Sequence, residues 1–296
     1  MLFKVMLLKV IGRMSPMFLT KVLYKKTFGK SLDLKHPISL NEKIHWLKFY
    51  GDTSQWALLS DKYRVREYVK LKGFEDILVK LYGSWENAND IDWAKLPNQF
   101  VLKANNGCGD VTICKDKSKL NKRKIIKYYN GLMKEKFGIQ TGQLHYKDIK
   151  PCIIAEELLD ASKQPTPSSS LIDYKIWCFD GIPTYIFVYL NRNKAITECM
   201  VYDVKWNAHP ECLIKSKHFS ICDKPIEKPG NLEEMLKVAS VLSEGNPEMR
   251  VDLYYVNGKV YFGELTLTAA CGFMNHFTDE FMIALGSRVI LPYDKK

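Results

Sequence analysis

Arg250, Asp252 and Glu264 are charged residues set into two strongly apolar runs, and that placement is the first sign of chemistry in this chain. The stretch from Met249 to Phe273 reads as a β-hairpin, with Val, Tyr, Phe, Leu and Thr flanking an Asn257-Gly258 turn. A charge in a buried strand is costly unless it is paired or holds a metal. Side chains alternate along a strand, so Arg250 shares a face with Asp252, and Glu264 shares one with Thr266. Whether those faces coincide depends on the turn. A two-residue loop pairs Val256 with Lys259 and sets Asp252 opposite Gly263, which leaves Glu264 on the other face. A three-residue loop with Gly258 left-handed pairs Tyr255 with Lys259, so that Glu264 lies opposite Arg250 and diagonal to Asp252. The second geometry is a carboxylate pair beside a guanidinium, the outline of a Mg²⁺–phosphate site. The plainer reading is an arginine–carboxylate salt bridge on a solvated sheet face.

Other residues stand in similar positions. Lys103 ends an apolar run directly before the glycine-rich Asn105-Asn-Gly-Cys-Gly109. A lysine there can meet a phosphate, and the glycines let backbone N–H groups approach phosphate oxygens. The same glycines serve equally well as a hairpin turn. Glu156 follows the apolar CIIA, where a strand-end carboxylate can read an adenine amino group while Leu158 packs on the ring. Asp173 and Lys175 share a face of an otherwise core-like strand.

The elements that must position these residues change character along the chain. Residues 1–95 read as a basic, mainly helical region. Ser39 to Glu42 forms a capping box, a helix begins at Ser60-Asp61 and stops at Gly73, and residues 74–95 are loop and short pieces. Strands are expected over 99–104, from 111 to 114, from 152 to 155, over 172–179 and 183–190 across an Asp180-Gly181 turn, and near 198–204. Helices are expected over 121–137 and from Asn231 to about Ser243. Residues 160–170 form a polar Pro/Ser loop, and 205–230 are irregular. Helices followed by two sheet-bearing segments, 96–158 and 159–296, make an α+β order rather than a doubly wound alternation. Neither a P-loop nor a dinucleotide fingerprint is present.

Composition narrows the class. The chain has 296 residues, 46% hydrophobic and 26% charged, which suits a globular protein. No apolar run reaches membrane-spanning length, and Lys4 and Lys9 break the apolar N-terminus that would otherwise resemble a signal peptide. Eight cysteines without a CxxC read as reduced cytoplasmic thiols, and six scattered histidines argue against zinc. The net charge of +11 is concentrated: residues 1–72 hold 15 Lys and Arg against five acids. With the apolar residues between those lysines, this suits a helix lying on a membrane surface, or an ordinary amphipathic helix docked on its own domain.

Taken together, DKYRVREYV, FVLKANNGCGD, DYKIWCFDGIP and FGELTLTAACGF resemble the TupA-like ATP-grasp family, over roughly residues 38–292. The resemblance implies an ATP-grasp fold, two α+β lobes clasping ATP with Mg²⁺. By matching position, Lys62 and Lys103 would lie on ATP phosphates, and the loop of Asn106, Gly107, Cys108 and Gly109 would close over them. Glu156, Glu157 and Leu158 would form the adenine hinge. Asp173 would meet the ribose, and Lys175 the phosphates. Asp252 and Glu264 would carry the metal, and Arg250 would steady the transferred phosphate. Thr266 stands where the family usually places a third metal ligand, Asn. The implied activity is carboxylate–amine ligation through an acyl phosphate, within bacterial capsule or cell-surface polysaccharide synthesis. Its partners would be a small or lipid-linked saccharide acid and an amine, without nucleic acid. A glycosyltransferase remains the alternative because Asp90-Ile-Asp92 is a DxD, although Asp92 also suits a turn cap. A nucleic-acid module has only the charge in its favour, and a degenerate binding protein is kept open by Thr266.

Overall fold

The computed structural model describes residues 2–192 and 196–292, with side chains from Leu8 onward. Two sheets, antiparallel except for one edge pair, carry the site, and each has its own core. The smaller has the order β1-β4-β2-β3, formed by β1 (Leu81–Trp85), β2 (Phe100–Ala104), β3 (Val111–Cys114) and β4 (Ile153–Glu156). Its apolar face, with Phe100, Leu102, Ile153 and Ala155, packs on Ile125 and Tyr129. These two lie on a helix that ends at Leu132, five residues short of the expected Phe137. Phe137 instead turns its ring edge onto Tyr146, at 4.7 Å. Residues 74–95 were expected as loop, yet they contain β1. Its residues are all half-buried, without the alternation that marks a strand, and it is held by pairing with β4 and by Tyr82 and Trp85 packing on the core of this sheet.

The larger sheet has the order β10-β9-β5-β6-β7-β8. Its strands are β5 (Asp173–Phe179), β6 (Ile182–Leu190), β7 (Thr197–Asp203), β8 (Phe219–Ile221), β9 (Met249–Val256) and β10 (Lys259–Thr266). All seven residues of β5 are buried, as a central strand covered on both faces requires. Asp180 and Gly181 take positive φ, 48° and 80°, in the tight turn between β5 and β6. β8 lies in the stretch expected to be irregular and pairs parallel with β7 over three residues, too short to show a pattern.

Helices from both ends of the chain pack on the larger sheet, and one from mid-chain covers the smaller. In order they are α1 (Leu2–Met14), α2 (Pro16–Phe28), α3 (Leu40–Tyr50), α4 (Trp56–Ser60), α5 (Val65–Leu71), α6 (Lys122–Leu132), α7 (Leu232–Ser243) and α8 (Asp279–Gly286). The Ser39–Glu42 capping box is present at α3. Residues 1–95 feed both cores: Leu40, Ile44, Trp56, Leu59, Val65 and Val69 pack under the larger sheet, while β1 extends the smaller. The helix expected to open at Ser60-Asp61 is broken there. Asp61 ends α4, and its carboxylate accepts from the N–H groups of Tyr63 and Arg64. This break leaves Lys62 outside both helices.

Buried titratable groups make stability depend on pH. Burial depresses His145 and His276 to about 4, and His45 well below the usual histidine range. A depressed histidine contributes stability that is full above 6.5 and is lost as pH falls from there. Burial raises Glu248 to about 8, so its contribution is full below about 4.5 and fades as pH rises toward 8. Each group changes stability by up to about 1.4 kcal/mol per pH unit. Denaturant midpoints should therefore peak near neutrality and fall on the acid side, and Glu248→Gln should flatten the decline between pH 6.5 and 8. An unchanged slope in that variant would contradict the assignment.

Candidate active site

The site forms where the β9–β10 hairpin meets β5 and the glycine-rich loop. The hairpin turn is the two-residue kind: Asn257 and Gly258 have φ of 52° and 75°, and Val256 pairs with Lys259. That loop alone would set Asp252 opposite Gly263. The register instead shifts between Phe262 and Glu264, so Glu264 faces Asp252 and Thr266 faces Arg250. A bulge at Gly263, within the strand rather than at the turn, brings the carboxylates together. It needs glycine because a Cβ there would lie 2.8 Å from the Asp252 carbonyl oxygen.

Asp252 is the hub. Arg250 donates from Nε to Oδ1 at 2.6 Å and from Nη2 to Oδ2 at 2.8 Å. Lys175, its cross-strand neighbour on β5, donates to Oδ2 as well. Arg250 also donates to the Thr266 hydroxyl at 3.1 Å and lies 3.7 Å from Glu264. Lys62 joins from the break after α4, with Nζ 3.4 Å from Glu264 and 2.5 Å from the Gly107 carbonyl it donates to. Burial alone would raise Glu264, but Lys62, Lys175 and Arg250 outweigh it and hold the carboxyl at about 2. Asp173 accepts from Lys175 at 3.3 Å and from Arg192 at 2.6 Å.

On the smaller sheet, Lys103 donates to Glu156 at 2.7 Å, and Arg66 reaches the other Glu156 oxygen at 3.1 Å. Both Glu156 oxygens are thus held by cations. Glu157 is exposed, with its N–H bonded to the Lys80 carbonyl, and Leu158 is half-buried. Asn106 is buried, Gly107 packs against Asp110, Cys108 is exposed, and Gly109 has φ 81°. Asn105, fully buried, ties this loop down: it donates to Asp61 and the Lys150 carbonyl and accepts from the Cys152 N–H. The Asp90-Ile-Asp92 pair stands elsewhere, with Asp92 accepting from the Ala94 N–H and bound to Lys95.

Four cations, Lys62, Lys175, Arg192 and Arg250, face three carboxylates, Asp173, Asp252 and Glu264, while Lys103 and Arg66 share one, Glu156. This cationic excess suits a polyphosphate. The side chains expected to hold a metal, Asp252, Glu264 and Thr266, offer only hard oxygens, the set Mg²⁺ prefers when phosphates supply its remaining ligands. Glu264 is the most open of them, its side chain 35% exposed and its nearest cation 3.4 Å away, so it keeps lone pairs for an ion.

The model of the TupA-like ATPgrasp family matches residues 42–290. The chain belongs to the TupA-like ATP-grasp family. Its fold is the ATP-grasp arrangement of two sheet-bearing lobes. Among solved structures it is similar to D-alanine–D-alanine ligase from Bacillus anthracis, at 15% identity and a TM-score of 0.41. That match covers 71% of this chain and 57% of that one. The Helicobacter pylori enzyme of the same name matches at 15% and 0.43, over 85% and 69%. D-cycloserine synthetase DcsG matches at 14% and 0.44, over 79% and 70%. The chain spans little more than half the length of the first of these. A search among curated proteins finds no match.

Sequence reasoning missed two cations in this cluster. Arg66 had a faint signal, a charged residue between the buried Val65 and Val69. Arg192 had none, since it follows a strand end in an exposed turn and reaches Asp173 only through the fold.

Proposed function

We propose that the protein is an ATP-dependent carboxylate–amine ligase acting in bacterial capsule or cell-surface polysaccharide synthesis. The observation that carries this reading is the Asp252–Glu264 pair, set face to face by the Gly263 bulge and ringed by Arg250, Lys175 and Lys62. Lys62, Lys103 and Lys175 would bind the phosphates, the Asn106–Gly109 loop would cover them, and Glu156 to Leu158 with Asp173 would frame the nucleoside. Mg²⁺, held by Asp252, Glu264 and Thr266, would offset charge between the β- and γ-phosphates. In the first step a carboxylate oxygen attacks the γ-phosphorus and the bond to the β-phosphate oxygen breaks, giving ADP and an acyl phosphate. In the second an amine attacks the acyl carbon, phosphate leaves, and the amine releases a proton. Arg250 would face the charge that develops on the transferred group, so that positioning and charge neutralisation do the work.

Isothermal titration with a non-hydrolysable ATP analogue tests the nucleotide site. Wild type should bind only with Mg²⁺, and Lys103→Ala should weaken binding roughly 10- to 100-fold, as expected for loss of a charge-assisted hydrogen bond. Binding of a sugar nucleotide in place of ATP would sink the ligase reading.

The setting we infer is the inner membrane face. Among the described residues no helix is long and apolar enough to cross a membrane. On α1 and α2, however, Val10, Met14, Phe18 and Val22 are exposed at four-residue spacing, with Arg13, Lys21 and Lys25 beside them. The opposite face of α2 buries Leu19, Thr20 and Tyr24. The side chains of residues 1–7 lie outside the described residues. Sedimentation with phosphatidylglycerol vesicles should pull down wild type and leave Phe18→Glu in solution. Equal recovery of both would refute membrane contact.

A further inference from the structure

Behind the metal hairpin lies a buried cation that the reading above does not use. Lys48 is 7% exposed, on the same face of α3 as His45. Among the described residues it has no carboxylate partner. Its Nζ donates to the Thr141 carbonyl at 3.3 Å and otherwise meets the rings of Phe49 and Phe273 at 5.2 and 6.0 Å. A buried ammonium without an anion is costly. Burial lowers Lys48 to about 8, which still leaves it charged at neutral pH.

Its surroundings are polar and incompletely satisfied. His45 has no partner at either ring nitrogen, and His145 Nε2 and the Thr20 hydroxyl are likewise unpaired, all in buried side chains. Gln143 donates to the Thr141 hydroxyl at 2.9 Å and to Cys271 at 3.1 Å, and accepts from Thr268 at 2.6 Å. Opposite runs a strained turn: Ala270, Cys271 and Gly272 are left-handed in succession, with φ of 45°, 60° and 82°. Two non-glycine residues there cost roughly 1–3 kcal/mol each, a strain that gathers at ligand sites. The turn starts two residues past Thr266. Tyr146 lies within electrostatic range of both Glu264 and Cys271, which joins this cluster to the metal carboxylates.

We propose that the polar cluster between residues 141–146 and the 268–272 turn receives a carboxylate-bearing co-substrate, whose anion is bound by Lys48. The assignment rests on the ligase reading for its role but not for its test. Two carboxylates, D-glucuronate and L-glutamate, with D-glucose as the neutral control, are titrated against the full chain by saturation-transfer NMR, with and without Mg²⁺ and the ATP analogue. At least one carboxylate should bind wild type and glucose should not. Lys48→Met should weaken that binding at least about tenfold, Lys48→Arg should retain it, and affinity for the ATP analogue should change less than about twofold in both. Should Lys48→Met fail to fold, Lys48→Gln replaces it. Equal carboxylate binding in wild type and the uncharged variant overturns the proposal, as does silence of both carboxylates with wild type. Failure of wild type to bind the nucleotide strikes the ligase reading alone, because the nucleotide-free titration still decides Lys48.

Discussion

Asp252→Ala should abolish Mg²⁺-dependent ATP binding and lower ATP turnover at least about 10³-fold. It should also destabilise the fold by about 3–5 kcal/mol, the usual cost of leaving buried charges unpaired. Both effects follow from one carboxylate that is 1% exposed and accepts from Arg250 twice and from Lys175. Its removal takes the shortest carboxylate contacts from two buried cations, leaving Lys175 only Asp173 at 3.3 Å and Arg250 only Glu264 at 3.7 Å. Adding Lys175→Met to that variant should therefore restore part of the lost stability, read from urea midpoints, while turnover stays absent. If Asp252→Ala keeps wild-type stability, Asp252 is no hub. If it keeps nucleotide turnover, the metal site is elsewhere.

Gly263→Val should uncouple the carboxylates without touching a charged group. A Cβ there would crowd the Asp252 carbonyl oxygen at 2.8 Å and the Tyr254 ring at 3.2 Å, so the bulge must shift or open. Glu264 would then lose its place opposite Asp252. Turnover should fall at least about 100-fold, with about 1–3 kcal/mol of stability lost, as is typical of overpacking. Gly258→Ala in the same hairpin is the control. Its Cβ meets nothing within 4 Å, so only the left-handed φ of 75° is strained, and turnover should survive. Wild-type turnover in Gly263→Val would show that the register is not what aligns the pair.

The site was legible where a residue contradicts its local surroundings. Arg250, Asp252 and Lys175 stand out as charges in apolar strands, and the structure joins them through adjacent positions on β9 and β5. Lys62 had no such contrast in a lysine-rich region, and only the break between α4 and α5 turns it toward Glu264 and Gly107. Lys48 was equally hidden. One more lysine on an amphipathic helix reads as surface, and it becomes exceptional only once residues 138–146 and the 268–272 turn close over it.

From local pattern alone came the hairpins, the capping box at Ser39, most strand positions and the α+β order. Periodicity, turn residues and caps act within a few residues, so they show in sequence. Tertiary structure decided the Gly263 register, the pairing of β1 with β4, the division of residues 1–95 between two cores, and the partners of Lys103 and Asp173. Each depends on packing between segments far apart in the chain. A one-residue bulge leaves composition and alternation almost unchanged, yet it reverses which face every later side chain occupies.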